Sequence, residues 1–173
     1  PLHPTNSPPS LRDNVSMTKR TLLETIIARL EADLALFTAA ALKAHEAATH
    51  EECIPDNKYD TTALEASYIA QGQANRAREI RLGLEAYRAL KLQEFDETTP
   101  IRLTALVTLE DGSGCERRLF LGPYAGGMKI ADAGGEIVVI TPASPLGQSL
   151  LGLLAGDELQ AEDSTTYTIV DVA

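Results

Sequence analysis

Residues 23–48 read LETIIARLEADLALFTAAALKAHEAA, and their apolar side chains recur at alternating steps of four and three residues. This spacing keeps one stripe of a helix apolar over about four heptads and is typical of a coiled coil. We therefore predict a long helix that begins near Ser16, which is a suitable N-cap residue. The stripe, called the first seam, consists of Leu23, Ile27, Leu30, Leu34, Phe37, Ala41, Ala44 and Ala48.

A short break separates this helix from a second one. Pro55 disfavours helical geometry at the residue before it, and the Asp-Asn pair after it favours a turn. Thr62 and Glu65 have the spacing of a capping box at the start of the next helix, and Asp60 is an alternative cap. That helix carries a second seam, which consists of Ala66, Ala70, Gln73, Ala77, Ile80, Leu84 and Tyr87.

Two seams joined by so short a break predict an antiparallel helical hairpin over residues 17–95. Its packing residues are small near the turn, such as Ala44 and Ala66, and large near the base, such as Leu23 and Tyr87. We therefore expect a hairpin that is slim at its tip and thick at its base. About 35 residues per helix, each rising about 1.5 Å, give an arm of roughly 50 Å. A compact helical bundle is the alternative, but each helix shows one stripe and not a wide apolar face.

The second half of the chain, residues 99–173, has the pattern of a small antiparallel sheet with one short helix. Runs rich in aliphatic and β-branched residues predict strands at 101–109, 117–121 and 136–140, with a hairpin turn at 110–114. Residues 157–160 and 165–170 predict a closing hairpin. Ser144 as N-cap and Pro145 at the first position predict the short helix. The fold class is thus α+β, with the helical hairpin preceding the sheet domain.

Composition excludes several classes of protein. The net charge of −10, from 25 acidic and 15 basic residues, is wrong for general DNA binding, which needs a basic surface. No apolar run is long enough to span a membrane. The first residues lack a basic start followed by an apolar stretch, so we expect no secretory signal. Cys53 and Cys115 fit no disulfide framework or CxxC motif, so we expect a cytoplasmic protein. Four Pro in the first nine residues predict a disordered tail at 1–16, and Met17 is a candidate natural start.

Acidic residues concentrate at the predicted tip, near residues 50–65. Between residues 45 and 65 the chain has six carboxylates and one lysine. Hard cations such as Mg²⁺ take oxygen ligands, so this tip could deliver carboxylates to a metal or basic site elsewhere. A solvated, acid-rich turn is the alternative. His45, His50 and Cys53 lack the spacing of a zinc site, so we expect no metal bound by the chain in isolation.

The second half resembles the bacterial Gre transcript cleavage factors. The stretch VITPASPLGQSLLG at 139–152, followed by GDEL at 156–159, is similar to that family's S-P-x-[AG]-x-x-L-[LI]-G…GDE signature, and YTIV at 167–170 is similar to its last strand. The resemblance implies an FKBP-like C-terminal domain that docks at the rim of the RNA polymerase secondary channel. It implies no catalytic residue of the chain's own. The docking candidates it indicates are Ser144, Pro145 and Leu146.

The resemblance also implies that the hairpin enters the channel as a monomer and that tip carboxylates help to hold the second catalytic Mg²⁺ of the polymerase. The polymerase itself would then cut backtracked RNA. The candidate Mg²⁺-approaching residues are Asp60, Glu65, Asp56, Glu51 and Glu52.

The spacing of the tip leaves the outcome open. The Gre tip reads D-L-x-E-N-A-E-Y, and alignment on Tyr68 places its Asp and its first Glu at Thr61 and Leu64, one residue away from Asp60 and Glu65. One residue rotates a helical side chain by about 100°. The protein would stimulate RNA cleavage if these acids reach the metal. Otherwise it would occlude the channel and inhibit or modulate the polymerase.

Two other functions are less favoured. A prolyl isomerase would need an aromatic pocket, for which Phe120, Tyr124 and Tyr167 are the candidates. A coiled-coil adaptor would self-associate through its Leu/Ile seam, but an intramolecular hairpin already buries that seam.

Overall fold

The computed structural model describes residues 17–49, 62–133, 135–161 and 165–173. The predicted tail at 1–16 and four of the five candidate tip acids (Glu51, Glu52, Asp56 and Asp60) lie outside the described residues. The same is true of Ser16, His50 and Cys53.

Two long helices form the N-terminal half, as the seams predicted. Helix α1 spans Lys19–Thr49 and helix α2 spans Thr62–Ala89. Its 31 residues make α1 about 46 Å long, close to the expected length of the arm. The backbone N–H of Thr21 donates to Thr18 Oγ1 at 3.2 Å, so Thr18 provides a side-chain cap at the start of α1.

The helices run antiparallel and pack through the predicted seams. In α2, Ala77, Ile80, Leu84 and Tyr87 are buried, and the smaller seam residues nearer Thr62 are half-buried. Glu31 of α1 pairs with Arg88 of α2 across the hairpin at 2.6 Å. The fold class predicted from the sequence is therefore confirmed.

The burial of α1 differs from the prediction at its N-terminal end. Leu22 and Ile26 are fully buried, whereas Leu23 and Ile27 of the first seam are only half-buried. Leu22 and Ile26 belong to the apolar cluster that joins the helices to the sheet. This part of α1 therefore buries two faces, one against α2 and one against the sheet.

The C-terminal half is a six-stranded sheet in the order β3-β4-β2-β1-β6-β5. Strand β2 pairs with β4 in parallel, and the other neighbouring strands pair antiparallel, so the described sheet is mixed and not purely antiparallel. Helix α3 lies between β4 and β5 in the chain. The elements are β1 (Leu106–Asp111), β2 (Glu116–Leu121), β3 (Lys129–Asp132), β4 (Gly135–Ile140), α3 (Pro145–Leu150), β5 (Glu158–Gln160) and β6 (Thr166–Val172).

Two local features of the sheet differ from the prediction. The strand expected at 101–109 begins only at Leu106, because Thr104 has a φ of 78° that breaks the extended run. Its N–H donates to the Leu121 carbonyl at 2.8 Å, and its Oγ1 accepts from the N–H of Gln93 at 3.0 Å. Thr104 therefore links the segment after α2 to the sheet. Strand β3, which lies in a region of Gly and small residues, was not predicted.

The sheet has an apolar core on each face. On one face, Leu22, Ile26 and Tyr87 of the hairpin base pack against Phe120 and Ile137. On the other face, a second cluster includes Leu150 of α3 and residues of the central and closing strands. The sheet therefore anchors the hairpin on one side and carries α3 on the other.

Candidate functional site

The predicted docking segment starts α3 in the expected way. Ser144 is the N-cap, with φ −73° and ψ 151°, and its Oγ accepts from the N–H of Gly147 at 3.1 Å. The same hydroxyl donates to the Thr141 carbonyl at 2.7 Å. Pro145 occupies the first turn and is exposed. These bonds hold the start of the helix in one conformation and leave the proline ring accessible to a partner.

Gly147 allows this turn to close tightly. A Cβ built on it would lie 2.0 Å from the Thr141 carbonyl oxygen and 3.0 Å from Ser144 Oγ. No side chain fits at such a separation. The glycine of the S-P-x-G stretch is therefore required by close backbone approach.

A cleft of about 480 Å³ opens beside α3. The three predicted docking residues, Ser144, Pro145 and Leu146, all line it. Two residues that the sequence pattern did not indicate for docking, Arg117 of β2 and Tyr167 of β6, line it as well. These two residues are 50 positions apart in the sequence and come together only in the folded sheet. An exposed arginine in a strand therefore gives no local signal that it lines a cleft.

Arg117 and Tyr167 form a cation–π pair in this cleft. The guanidinium carbon lies 5.6 Å from the centre of the tyrosine ring, and Nη1 donates to the Tyr167 hydroxyl at 3.2 Å. Only 6% of the Tyr167 surface is exposed, so the buried ring provides a fixed contact for the exposed arginine head.

Glu65 is the one candidate tip acid among the described residues. It lies in the first turn of α2 and is exposed. Leu64 is 53% exposed and Tyr68 is 70% exposed on the same stretch. Glu65 precedes Tyr87 at the hairpin base by 22 residues, which is about 33 Å along the helix.

The described end of the hairpin is remote from the sheet. The apolar cluster that joins helices and sheet reaches no farther than Phe37 on α1 and Ile80 on α2. Farther out, a shallow groove is lined by helical residues alone, among them His45 and Ser67. The hairpin therefore holds Glu65 away from the globular part of the molecule.

The three aromatic candidates for a prolyl isomerase pocket do not converge. Phe120 is fully buried in the cluster under the hairpin, whereas Tyr167 belongs to the cluster on the opposite face of the sheet. Tyr124 lies on the hairpin side, where its carbonyl accepts from the Tyr87 hydroxyl at 2.7 Å. These residues cannot form one proline-binding pocket.

No group of three or more His, Cys, Asp or Glu side chains within residues 17–49, 62–133, 135–161 and 165–173 is arranged to hold a metal ion. No helix in the same ranges has the length and apolar character needed to cross a membrane.

Comparisons with known proteins gave solved structures alone. No family model matches the chain, and no curated protein matches it. The chain is similar to the GreA factor homolog 1 (Gfh1) protein of Thermus thermophilus, with 21% identity over 85% of this chain and 94% of that chain and a TM-score of 0.36. A second structure, of the transcription factor Gfh1, is 25% identical over 87% of this chain and 92% of that chain, with a TM-score of 0.36. Thermus aquaticus Gfh1 is 22% identical over 86% of this chain and 92% of that chain, also with a TM-score of 0.36.

Proposed function

We propose that the protein binds bacterial RNA polymerase at the rim of its secondary channel and projects the hairpin into that channel. The observation that carries this proposal is the separation of two features on one chain. A cleft lined by the docking candidates lies beside α3, and an exposed acidic end lies about 33 Å along α2 from the hairpin base. The S-P-x-G and GDE stretches that resemble the Gre signature support the same function.

The docking step uses the start of α3. Pro145 is exposed and Leu146 is half-buried at the cleft, so both offer apolar surface to a partner. The cap formed by Ser144 already holds the start of this helix in the unbound chain. A rigid docking element reduces the entropy that association costs.

The acidic end acts on the polymerase and has no intrinsic catalysis. The metal is the polymerase's own Mg²⁺, which takes carboxylate and phosphate oxygens as ligands. Asp60, with Asp56 or Glu65, is the pair of acids that would approach it, and Glu51 and Glu52 would add negative charge nearby. A negatively charged arm is also steered toward a site that attracts metal ions.

Two outcomes of binding are possible, and the position of the acids at the tip decides between them. If Asp60 and its partner reach the metal, the polymerase cleaves backtracked RNA. The exposure of Leu64 favours the alternative, occlusion of the channel without cleavage. Leu64 occupies the position where the Gre pattern has its first Glu, and Glu65 is rotated from it by about 100°.

Binding to core RNA polymerase tests the docking step. We expect wild-type protein to be retained by immobilised core enzyme and the Ser144→Ala/Pro145→Ala variant to be retained weakly. Gln148→Ala changes an exposed residue of the same helix that does not line the cleft, and it serves as the matched control. Thermal melting of each variant separates lost docking from lost folding. No retention of the wild-type protein would refute the proposal.

RNA cleavage in stalled elongation complexes tests the two outcomes. With the wild-type protein, faster cleavage that Asp60→Ala abolishes would establish stimulation. Unchanged cleavage together with reduced RNA synthesis would establish occlusion. Glu85→Ala, an exposed acid near the hairpin base, controls for the loss of one negative charge.

A further inference from the structure

The cleft beside α3 combines apolar surface with a single positive charge. Leu109, Ile140 and Leu146 contribute aliphatic side chains to it. Arg117 is the one charged residue among its described lining residues. A ligand that complements this cleft therefore has an apolar group next to a negative charge.

The guanidinium of Arg117 keeps donors available for such a charge. It carries five N–H groups, and the Tyr167 hydroxyl accepts from Nη1 alone. Among the described residues, no carboxylate forms an ion pair with Arg117. Four other arginines in the same ranges do pair with acids, namely Arg29, Arg76, Arg88 and Arg118.

Tyr167 restrains the position of the Arg117 guanidinium. The cation–π contact with a buried ring and the hydrogen bond to its hydroxyl limit the positions that the arginine head can take. A planar, oriented guanidinium binds a carboxylate through two parallel hydrogen bonds, which a lysine cannot do.

We propose that this cleft binds a segment of RNA polymerase in which a carboxylate side chain adjoins an apolar side chain. The carboxylate pairs with Arg117, and the apolar group packs against Leu146 and Ile140. This inference rests on the proposed function and adds the chemistry of the partner. The chain has a net charge of −10, so the exposed Arg117 is a local positive site on a negatively charged molecule. Such a site orients an acidic partner at short range.

The affinity for core RNA polymerase, measured by biolayer interferometry, tests the role of Arg117. We expect Arg117→Gln to weaken binding about tenfold, the size of effect seen for a charge pair at an interface. Arg117→Lys keeps the charge but loses the planar group that can form two parallel hydrogen bonds, so its affinity should fall between those of wild type and Arg117→Gln. Lys91→Gln removes the same charge from an exposed position outside the cleft and should not change the affinity.

Three results would overturn the inference, and they differ from one another. Wild-type binding that Arg117→Gln leaves unchanged would refute the role of Arg117 and leave the proposed function intact. Absence of wild-type binding would refute both. Glu162 and Asp163 lie outside the described residues. The double variant Glu162→Gln/Asp163→Asn therefore tests whether Arg117 pairs with one of these acids within the chain. An equal drop in melting temperature for this variant and Arg117→Gln would assign the arginine to a pair within the chain.

Discussion

Gly147 shows how one missing side chain fixes the start of α3. Gly147→Ala would place a methyl group against the backbone oxygen of Thr141, which cannot move away without breaking the cap of α3. We expect the variant to lose about 1–3 kcal/mol of stability in urea denaturation, as other overpacked sites do, and to bind polymerase weakly.

Gly72→Ala is the matched control for this prediction. Gly72 lies in α2, and a Cβ on it would meet no atom within 4 Å. Alanine is the better helix former, so this variant should gain up to about 1 kcal/mol. A Gly147→Ala variant as stable as the wild type would contradict the close approach.

Asp132 ties the start of the hairpin to the sheet and should make stability depend on pH. Its carboxylate accepts from the N–H of Met17 at 2.9 Å and from Arg118 Nη1, and its side chain is 3% exposed. Burial alone would raise the pKa of Asp132, but hydrogen bonds from Met17, Ala133 and Arg118 outweigh it and hold the pKa below its usual range. The charged form is therefore favoured in the folded state.

The sign of the pH effect follows from this lowered pKa. The stabilising contribution of Asp132 is present above about pH 4, the ordinary aspartate pKa, and is lost as the pH falls through the folded-state value. Asp132→Asn should cost about 2 kcal/mol at pH 7, because Arg118 loses its charged partner. The gap to wild type should shrink below pH 4. Asp171→Asn alters an exposed aspartate and serves as the control. It should change the stability neither at pH 7 nor below pH 4.

At the scale of elements, the second seam provides a direct test of the hairpin packing. Leu84 is 4% exposed and Leu82, two residues earlier on the same helix, is 50% exposed. Leu84→Ala should lower the free energy of unfolding by about 2–5 kcal/mol because it leaves a cavity between hairpin and sheet. Leu82→Ala should change it by less than about 0.5 kcal/mol. Guanidinium denaturation measures both, and equal losses would show that the seam does not face the core.

The joint between hairpin and sheet is also an element-scale feature. The Tyr87 hydroxyl donates to the Tyr124 carbonyl, and a Cβ on Gly122 would come within 2.1 Å of that hydroxyl. Burial raises the pKa of the Tyr87 phenol, and the hydrogen bond opposes that shift. The base of α2 is therefore held by a polar contact as well as by apolar packing.

For the whole molecule, we predict a monomer. The hairpin buries Leu30, Ile80 and Leu84 within one chain, so little of the seam near its base is left for a second copy. The many acidic side chains oppose association further, since net charge keeps proteins apart. Sedimentation equilibrium at physiological salt should give the mass of one chain. A dimer that Leu36→Glu dissociates would instead assign the exposed Leu36 to an interface.

The sequence by itself determined the features that depend on neighbours along the chain. The seams, the cap at Ser144 and the turn at 110–114 were all predictable, because spacings of three and four residues and local hydrogen bonds decide them. In the turn, Asp111 Oδ1 accepts from the N–H groups of Ser113 and Cys115 at 2.9 and 3.0 Å.

Tertiary structure decided the features that depend on residues far apart. It buried Leu22 and Ile26 more fully than the seam residues Leu23 and Ile27, because the sheet covers a second face of α1. It also paired β2 with β4 in parallel and placed Arg117 over Tyr167. No local pattern specifies these contacts, since they form only when apolar faces from distant segments of the chain pack together.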